Sequence, residues 1–409
     1  MILTWWTDSS PYKDYFGIIA DGAIRSGKTV SMGFSFASWA MTRFNGQLFA
    51  ICGKTVGSCR RNVISVLKRQ LVARGYSVRD LRSDNVLIVT KGKVSNMFYI
   101  FGGKDESSQD LIQGLTLAGA LFDEVALMPL SFVNQATARC SVDGSKTWFN
   151  CNPSSPQHWF YTEWIQRVDK REMVYLHFTM EDNMTLSDKI RERYRSMYAG
   201  VFYQRYILGL WVMAEGLVYD MFDRTTHVLT KEPETEGAYY VSSDFGIQNA
   251  TVFLLWRKEQ GTDRWICLRE YYYSGRDNKV QKTTSELVEG LKQMLGDIQP
   301  KQIIVDPSAA ALIAEMRRSH YHVLPAKNEV LDGISEVSTM LRQNRLGFMS
   351  CCRNTIDEFG VYAWDAKAAD RGEDAPIKQN DHSMDAIRYA VRTLHWVKIK
   401  EPYRGFGGV

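Results

Sequence analysis

The sequence predicts two successive α/β domains, the first built on a mostly parallel sheet and the second smaller and mixed. Three observations carry this. Between about residues 16 and 215, short apolar runs alternate with helix-like stretches, the pattern of strand–helix–strand units. The first of those runs leads straight into a G-x-x-x-x-G-K-T loop. After the polar stretch "KEPETEG" the pattern changes to three strand-like runs in quick succession.

In chain order, the apolar runs of the first half are "GIIAD", "QLFAICGK", "NVLIV", "MFYIFGG", "LAGALFDE" and "KTWFNCN". The boundary stretch holds a proline, a glycine and several charges, as exposed connectors do. Beyond it, "YYVSSDF", "ATVFLLWRK" and "RWICLREYYY" read as strands, the last two joined by an "EQGTD" hairpin turn. A helix over 280–295, the strand "QIIVD", and helices near 309–318 and 382–396 complete the second half. The tail "EPYRGFGGV" is expected to be mobile. The expected division is therefore 1–215 for the first domain, 216–236 for a linker and 237–409 for the second domain.

Composition narrows the class. The chain has 409 residues, 45% hydrophobic and 23% charged, as soluble globular proteins do. No apolar stretch approaches the roughly 20 residues that span a bilayer, so no membrane partner is expected. "MILTWWTDSSPYKDYF" lacks the basic start and apolar run of a secretory leader. Seven scattered cysteines without a C-x-x-C pair argue against a disulfide framework or a zinc site and fit a reducing cytoplasm. A net charge of +4 permits nucleic-acid binding without indicating it.

The loop "DGAIRSGKT" is a phosphate cradle by residue type. Gly22 and Gly27 let backbone N–H groups turn inward, Arg25 and Ser26 fill the loop, Lys28 reaches the β- and γ-phosphates, and the Thr29 hydroxyl suits Mg²⁺. Such a loop needs a carboxylate at the end of another buried strand. "LAGALFDE" supplies Asp123 for the metal and Glu124 to polarise the attacking water. Together they point to ATP hydrolysis rather than binding alone. Arg25 could neutralise charge on the γ-phosphate, or simply face solvent. Asn150 or Asn152, in "TWFNCNPSSPQHW", could sense that phosphate, although Asn152-Pro153 also suits a strand-end turn.

Three acids stand out in the second half. Asp244 ends "YYVSSD", Asp306 ends "KQIIVD", and Asp385 lies three residues after His382 on one face of a helix. Carboxylates on neighbouring strand ends, with a third from a helix packed across the sheet, suit two divalent metal ions in phosphodiester cleavage. His382 could steer water, relay a proton or cap its helix. Strand-end aspartates also start turns, so residue type alone leaves both readings open. The order of strand-ending acid, hairpin, strand-ending acid and late helix is the layout of an RNase H-like nuclease.

The segments "GAIRSGKT", "LFDE", "NCNPSSPQHWFY", "RYILGLWVMAEGLVYDMF", "SSDFG", "IIVDPSAA" and "DHSMDAIRYA" occur in the order of a tailed-bacteriophage terminase large subunit. The chain resembles that family over nearly its whole length, most of all the prophage-type group of Gram-positive bacteria. The resemblance implies an N-terminal ATPase that pumps double-stranded DNA into a procapsid and an RNase H-like endonuclease that cuts concatemeric DNA. It implies ATP with Mg²⁺ at Gly22, Arg25, Ser26, Gly27, Lys28, Thr29, Asp123 and Asn152, with Glu124 and Arg25 catalytic. It likewise implies two Mg²⁺ or Mn²⁺ ions at Asp244, Asp306 and Asp385, with His382 beside them. Many relatives carry a basic residue where "DLIQG" has Gln113, so Arg25 alone or another arginine such as Arg139 would serve as finger.

The partners implied are the portal protein, the small terminase subunit, the procapsid and double-stranded DNA. A ring would form only on the portal, in the host cytoplasm, with the free chain monomeric. "CRRNVISVLKRQLVARG" is a basic helix that could grip phosphates or simply be solvated. Two other readings share these features. One is a P-loop translocase or helicase whose second domain only binds DNA. The other is a DDE-type transposase, which has no use for the phosphate loop.

Overall fold

A computed structural model of the chain describes residues 1–246 and 250–394; the expected tail and residues 395–396 of the last expected helix lie outside these. The chain divides into two compact units. One comprises Met1–Glu192, Tyr203–Met213 and Asp370–Glu373; the other comprises Arg193–Phe202, Ala214–Ala369 and the chain from Asp374 onward.

The first unit holds an eight-stranded sheet. Its strands are β1 (Gly17–Gly22), β2 (Leu48–Gly53), β3 (Ser77–Leu81), β4 (Val86–Lys91), β5 (Val94–Gly102), β6 (Gly119–Asp123), β7 (Lys146–Asn150) and β8 (Met173–Phe178). Their order is β3-β4-β5-β2-β6-β7-β1-β8. Every pairing from β5 to β8 is parallel, whereas β3, β4 and β5 form an antiparallel meander at one edge. The expected mostly parallel sheet is present.

Burial explains why the central strands read as unbroken apolar runs. All residues of β1, β6 and β7 are buried, because both faces of the sheet are covered. Neighbouring residues of β7 point to opposite faces: Trp148 packs with Trp5, Phe36, Trp39 and Phe98, and Phe149 with Phe122, Phe132, Phe160 and Trp164. The Lys28–Arg43 helix supplies Met32, Phe36 and Trp39 to the first of these cores at helical spacing. Fully buried Ser35 on that helix accepts the indole N–H groups of Trp6 and Trp148 at 3.3 and 3.1 Å, so both of these buried donors are satisfied.

The basic stretch over 59–75 is not one regular helix. Helical turns at Val56–Cys59 and Ser65–Val72 flank a π turn over Arg60–Ile64. Arg60 and Lys68 both pair with Asp80 of β3, at 3.0 and 2.8 Å, which removes two cations from the face expected to grip phosphates.

The second unit holds a seven-stranded sheet of β9 (Val228–Leu229), β10 (Gly237–Asp244), β11 (Ala250–Glu259), β12 (Trp265–Ser274), β13 (Gln302–Val305), β14 (Val323–Pro325) and β15 (Leu346–Met349). The order is β14-β13-β10-β11-β12-β15-β9. β10, β11 and β12 form an antiparallel meander, and β13 joins β10 in parallel. Residues 216–236, expected as a linker, contribute β9 to this sheet, and buried His227 lies 2.9 Å from the Leu341 carbonyl. The expected 280–295 helix runs Thr284–Leu295, and the last helix runs His382–Thr393. Helices Val330–Arg342 and Arg353–Phe359 had no counterpart in the sequence reading.

Replacing Trp148 by Ala removes a fully buried ring from the first core and should destabilise the first unit by about 3–5 kcal/mol. Denaturant unfolding followed by intrinsic fluorescence measures it. A loss below about 1 kcal/mol would contradict the packing described.

Candidate functional site

The first candidate site forms where β1, β6 and β7 end side by side. Register places Asp123 opposite Asn150, and Asn150 opposite Ala20 of β1. The chain then turns sharply at Gly22, whose φ is +121° and where a Cβ would lie 1.9 Å from the Phe178 carbonyl oxygen. No other residue fits. Gly27 follows at φ +89° as the N-cap of the Lys28–Arg43 helix, with no side chain capping the first turn. The N–H groups of that turn are therefore left for a ligand or water.

Lys28 lies at the centre, 6% exposed. Its Nζ donates to the carbonyls of Gly22 (3.0 Å) and Ala23 (2.6 Å), to Ser26 Oγ (3.1 Å) and to Asn152 Oδ1 (3.3 Å). Burial pushes its pKa down to about 8, against the pull of Asp21, Asp123 and Glu124 nearby. Thr29 Oγ1 donates to Asp123 Oδ1 at 2.9 Å. Asn150 donates through Nδ2 to the same oxygen at 2.9 Å, and its Oδ1 accepts the Glu124 N–H at 3.2 Å.

Burial raises the pKa of Asp123, although Asn150, Thr29 and Lys28 oppose it. Glu124 is raised by burial and then by Asp123. Its backbone adopts the left-handed region, with φ 59° and ψ 47°. The two asparagines thus divide the work: Asn152 meets the lysine, and Asn150 sets both acids. Arg25 is exposed at φ 58°, and its carbonyl accepts Asn183 Nδ2 at 2.6 Å. Gln113 is exposed, and Arg139 ends the Leu130–Ala138 helix.

This arrangement fits a nucleotide with a divalent cation. A half-buried hydroxyl paired with a buried carboxylate, beside a buried ammonium, is the donor set that a hard cation and a phosphate would share. Thr29 and Asp123 would hold the metal, and Lys28 with the uncapped helix turn would hold the phosphates.

The second candidate site lies in the other unit. Ser243 pairs with Val305 in parallel register, so Asp244 and Asp306 follow at the same ends of adjacent strands. The His382–Thr393 helix serves all three acids from one face. His382 Nδ1 lies 2.9 Å from Asp244 Oδ2, Arg388 Nη2 lies 2.8 Å from Asp385 Oδ1, and Tyr389 donates its hydroxyl to Asp306 Oδ2 at 2.7 Å.

Charge around these acids is uneven. Burial raises the pKa of Asp244 more than His382 lowers it, and Asp385 adds to the rise. Burial also pushes Asp306 up, but its bonds from Ser308 and Tyr389 outweigh this and leave it below the usual range. His382 is held above the usual imidazole value: burial disfavours its charge, yet the Asp244 carboxylate wins. Asp381, Lys378 and Glu358 were not foreseen. Lys378 Nζ stands 3.7 Å from Asp381 and 3.6 Å from Asp385. Glu358, pushed up to about 7 by burial, accepts the N–H groups of Ser383 and Met384 and so caps the helix.

Among the described residues, no three His, Cys, Asp or Glu side chains are gathered as one metal ion requires. The donor chemistry still fits hard divalent ions, since all three acids offer carboxylate oxygens. Tyr389 and Arg388 lie within the motif "DHSMDAIRYA", at spacings that put them on the face of His382 and Asp385, so helical periodicity was the signal that could have found them.

Residues 19–226 match the family described as "Terminase large subunit, T4likevirus-type, N-terminal". The fold is similar to that of the large terminase of a thermophilic bacteriophage, with 55% identity over 96% of this chain and 97% of that one, at a TM-score of 0.90. The same phage protein in complex with ADP matches at 55% identity, 96% and 98% coverage and a TM-score of 0.87. Its complex with ATP-gamma-S matches at 53%, 95% and 96%, and 0.85. The "Terminase, large subunit" of Escherichia phage T5 is 25% identical over 296 residues, which span 67% of this chain and 65% of that protein.

Lys28 also generates a pH dependence with a definite sign. Its folded pKa of about 8 lies below the ordinary lysine value of about 10.4, so between those values the unfolded chain binds more protons. Stability contributed through this group therefore rises with pH across that window. The difference in unfolding free energy between the nucleotide-free wild type and Lys28→Met should rise by up to roughly 3 kcal/mol from pH 7 to pH ~10.5. Denaturant titrations of both proteins at each pH measure it, and a flat difference would contradict the burial of the ammonium.

Proposed function

The chain belongs to the phage terminase large-subunit family, and from that premise we propose that it drives double-stranded viral DNA into a procapsid by ATP hydrolysis and cuts concatemeric DNA with a metal-dependent nuclease domain. The carrying observation is the Thr29–Asp123 contact beneath a loop whose lysine is already buried among oxygen acceptors. That arrangement is a nucleotide-metal site in its donor chemistry.

In this reading residues 1–215 are the motor. Lys28 neutralises the phosphates, with Ser26 and the N–H groups around Gly22 and Gly27 as the cradle. Asn152 releases the lysine to a phosphate or reports its arrival. Glu124, raised by burial and by Asp123, is a stronger base than an exposed glutamate and orients the attacking water, while Asn150 fixes its backbone. Arg25, exposed within the loop, meets charge developing on the γ-phosphate. Bound Mg²⁺ supplies charge compensation at Thr29 and Asp123.

Residues 237–409 carry the nuclease acids, and the preceding segment 216–236 adds β9 to the same sheet. Asp244, Asp306 and Asp385 would hold two Mg²⁺ or Mn²⁺ ions, which supply activation of water and of the leaving oxygen. His382 steers or relays a proton at that water, and Tyr389 and Arg388 aim two of the acids. Portal, small subunit, procapsid and DNA are the proposed partners, with the ring formed at the portal in the host cytoplasm.

The protein donors already engaged with the three acids favour one competing reading, a translocase whose second domain only holds DNA. Nicking of supercoiled plasmid by the full chain, with Mg²⁺ or Mn²⁺ and no ATP, separates the two. Nicking lost in Asp306→Ala while ATP hydrolysis stays within about twofold supports the nuclease. Nicking that survives the substitution, or is absent with either metal, leaves the DNA-holding domain as the better account. In the same preparations Lys28→Ala should lower ATP turnover by about a hundredfold or more, and unchanged turnover would remove the motor assignment.

A further inference from the structure

Two features of the first unit remain unused by this function. One is Asp21, a fully buried carboxylate in the strand position immediately before the phosphate loop. The other is the segment "RYILGLW", which belongs to the first unit although the chain on either side of it, Arg193–Phe202 and from Ala214 onward, belongs to the second. They meet. Trp211 donates its indole N–H to Asp21 Oδ2 at 2.6 Å. Tyr175 donates its hydroxyl to the same oxygen at 3.1 Å, and His177 Nδ1 stands 2.9 Å from Oδ1.

The rest of the segment lies along the loop as a strap. Ile24 donates its N–H to the Tyr206 carbonyl at 2.9 Å. Gly209, at φ +74°, comes so close that a Cβ there would stand 3.0 Å from the Ala23 nitrogen and 3.1 Å from the His177 ring. Buried Arg205 closes the strap on itself through the Val212 carbonyl, 3.0 Å from Nε. The Trp211 ring packs 4.9 Å from that of Tyr161.

A phosphate loop needs such support. It carries left-handed backbone at Arg25 and Gly27 and a sharp turn at Gly22, conformations that persist only where the surroundings fix them. A cradle ordered before the ligand arrives binds more tightly, because ordering is not charged against binding.

We propose that Asp21 is a positioning residue for nucleotide binding, fixing the phosphate loop by anchoring Trp211 and with it the Tyr203–Met213 strap. This rests on the ATPase reading. It goes beyond it by assigning the "RYILGLW" segment to nucleotide affinity.

The test uses the full chain and two single-residue variants. Trp211→Phe keeps an aromatic ring at this position and deletes the N–H donor. Gly209→Ala puts a methyl group where the strap meets the loop. For each, ADP affinity is measured by titration calorimetry, and KM and kcat for ATP by steady-state turnover, at a temperature where both variants are folded by circular dichroism. ADP affinity weakened about tenfold and KM raised in proportion, with kcat changed less than about threefold, supports the proposal. Affinity unchanged or tightened in both variants overturns it, as does a fall in kcat at constant KM. Wild type and Lys28→Ala serve as the reference pair. If the wild type neither binds ADP nor turns over ATP, the ATPase reading falls and this inference with it. If the pair behaves as an ATPase while the strap variants match the wild type, the inference falls alone.

Discussion

A lysine ammonium that is almost wholly buried must be met by oxygen on every side, and the first unit is organised around that demand. Two backbone carbonyls, a serine hydroxyl and an asparagine amide surround Lys28, and three acids stand close enough to favour its charge. Burial still wins and lowers its pKa. The group is therefore held ready for an anion, since a phosphate in the loop would supply the charge that the protein's own acceptors do not. The sharp turn at Gly22, the helix starting at Gly27 and the Asn150 bridge to Asp123 and Glu124 all serve to place groups around that one cation.

The second unit solves a different electrostatic problem. Parallel register between β10 and β13 brings two aspartates to neighbouring strand ends, and one helix supplies the third together with the side chains that hold the set. Burial raises the cost of ionising Asp244 and Asp381, and the neighbouring Asp385 carboxylate adds to it. His382, Arg388 and Lys378 compensate part of that charge from inside the protein. The same excess of negative charge is what draws divalent cations to oxygen ligands.

Much of this was legible before any coordinates. The phosphate loop, Asp123 and Glu124 at a buried strand end, and the strands ending in Asp244 and Asp306 all stand where their residue types require, because glycine turns and apolar runs are local signals. Helices Val330–Arg342 and Arg353–Phe359 were not read, nor was the π turn that interrupts the basic stretch. Arg60 and Lys68 looked like a solvated or DNA-facing charge run, and their pairing with Asp80 depends on a strand that folds back beside them. Nothing adjacent in sequence marks Asp21, the last residue of "GIIAD", as a buried carboxylate whose donors come from residues 175, 177 and 211.

What the sequence by itself determined is the chemistry: which backbone turns are possible, where an ammonium can start a helix and carboxylates can end a buried strand, and which helix face bears His382 and Asp385. Those follow from steric limits and from periodicities of a few residues. Tertiary structure alone decided the partners. Whether Asn150 or Asn152 meets Lys28, which donors satisfy Asp21, and which side chain holds Asp306 depend on strand order and register. These join residues more than a hundred positions apart in most of these pairs, and no local pattern encodes them.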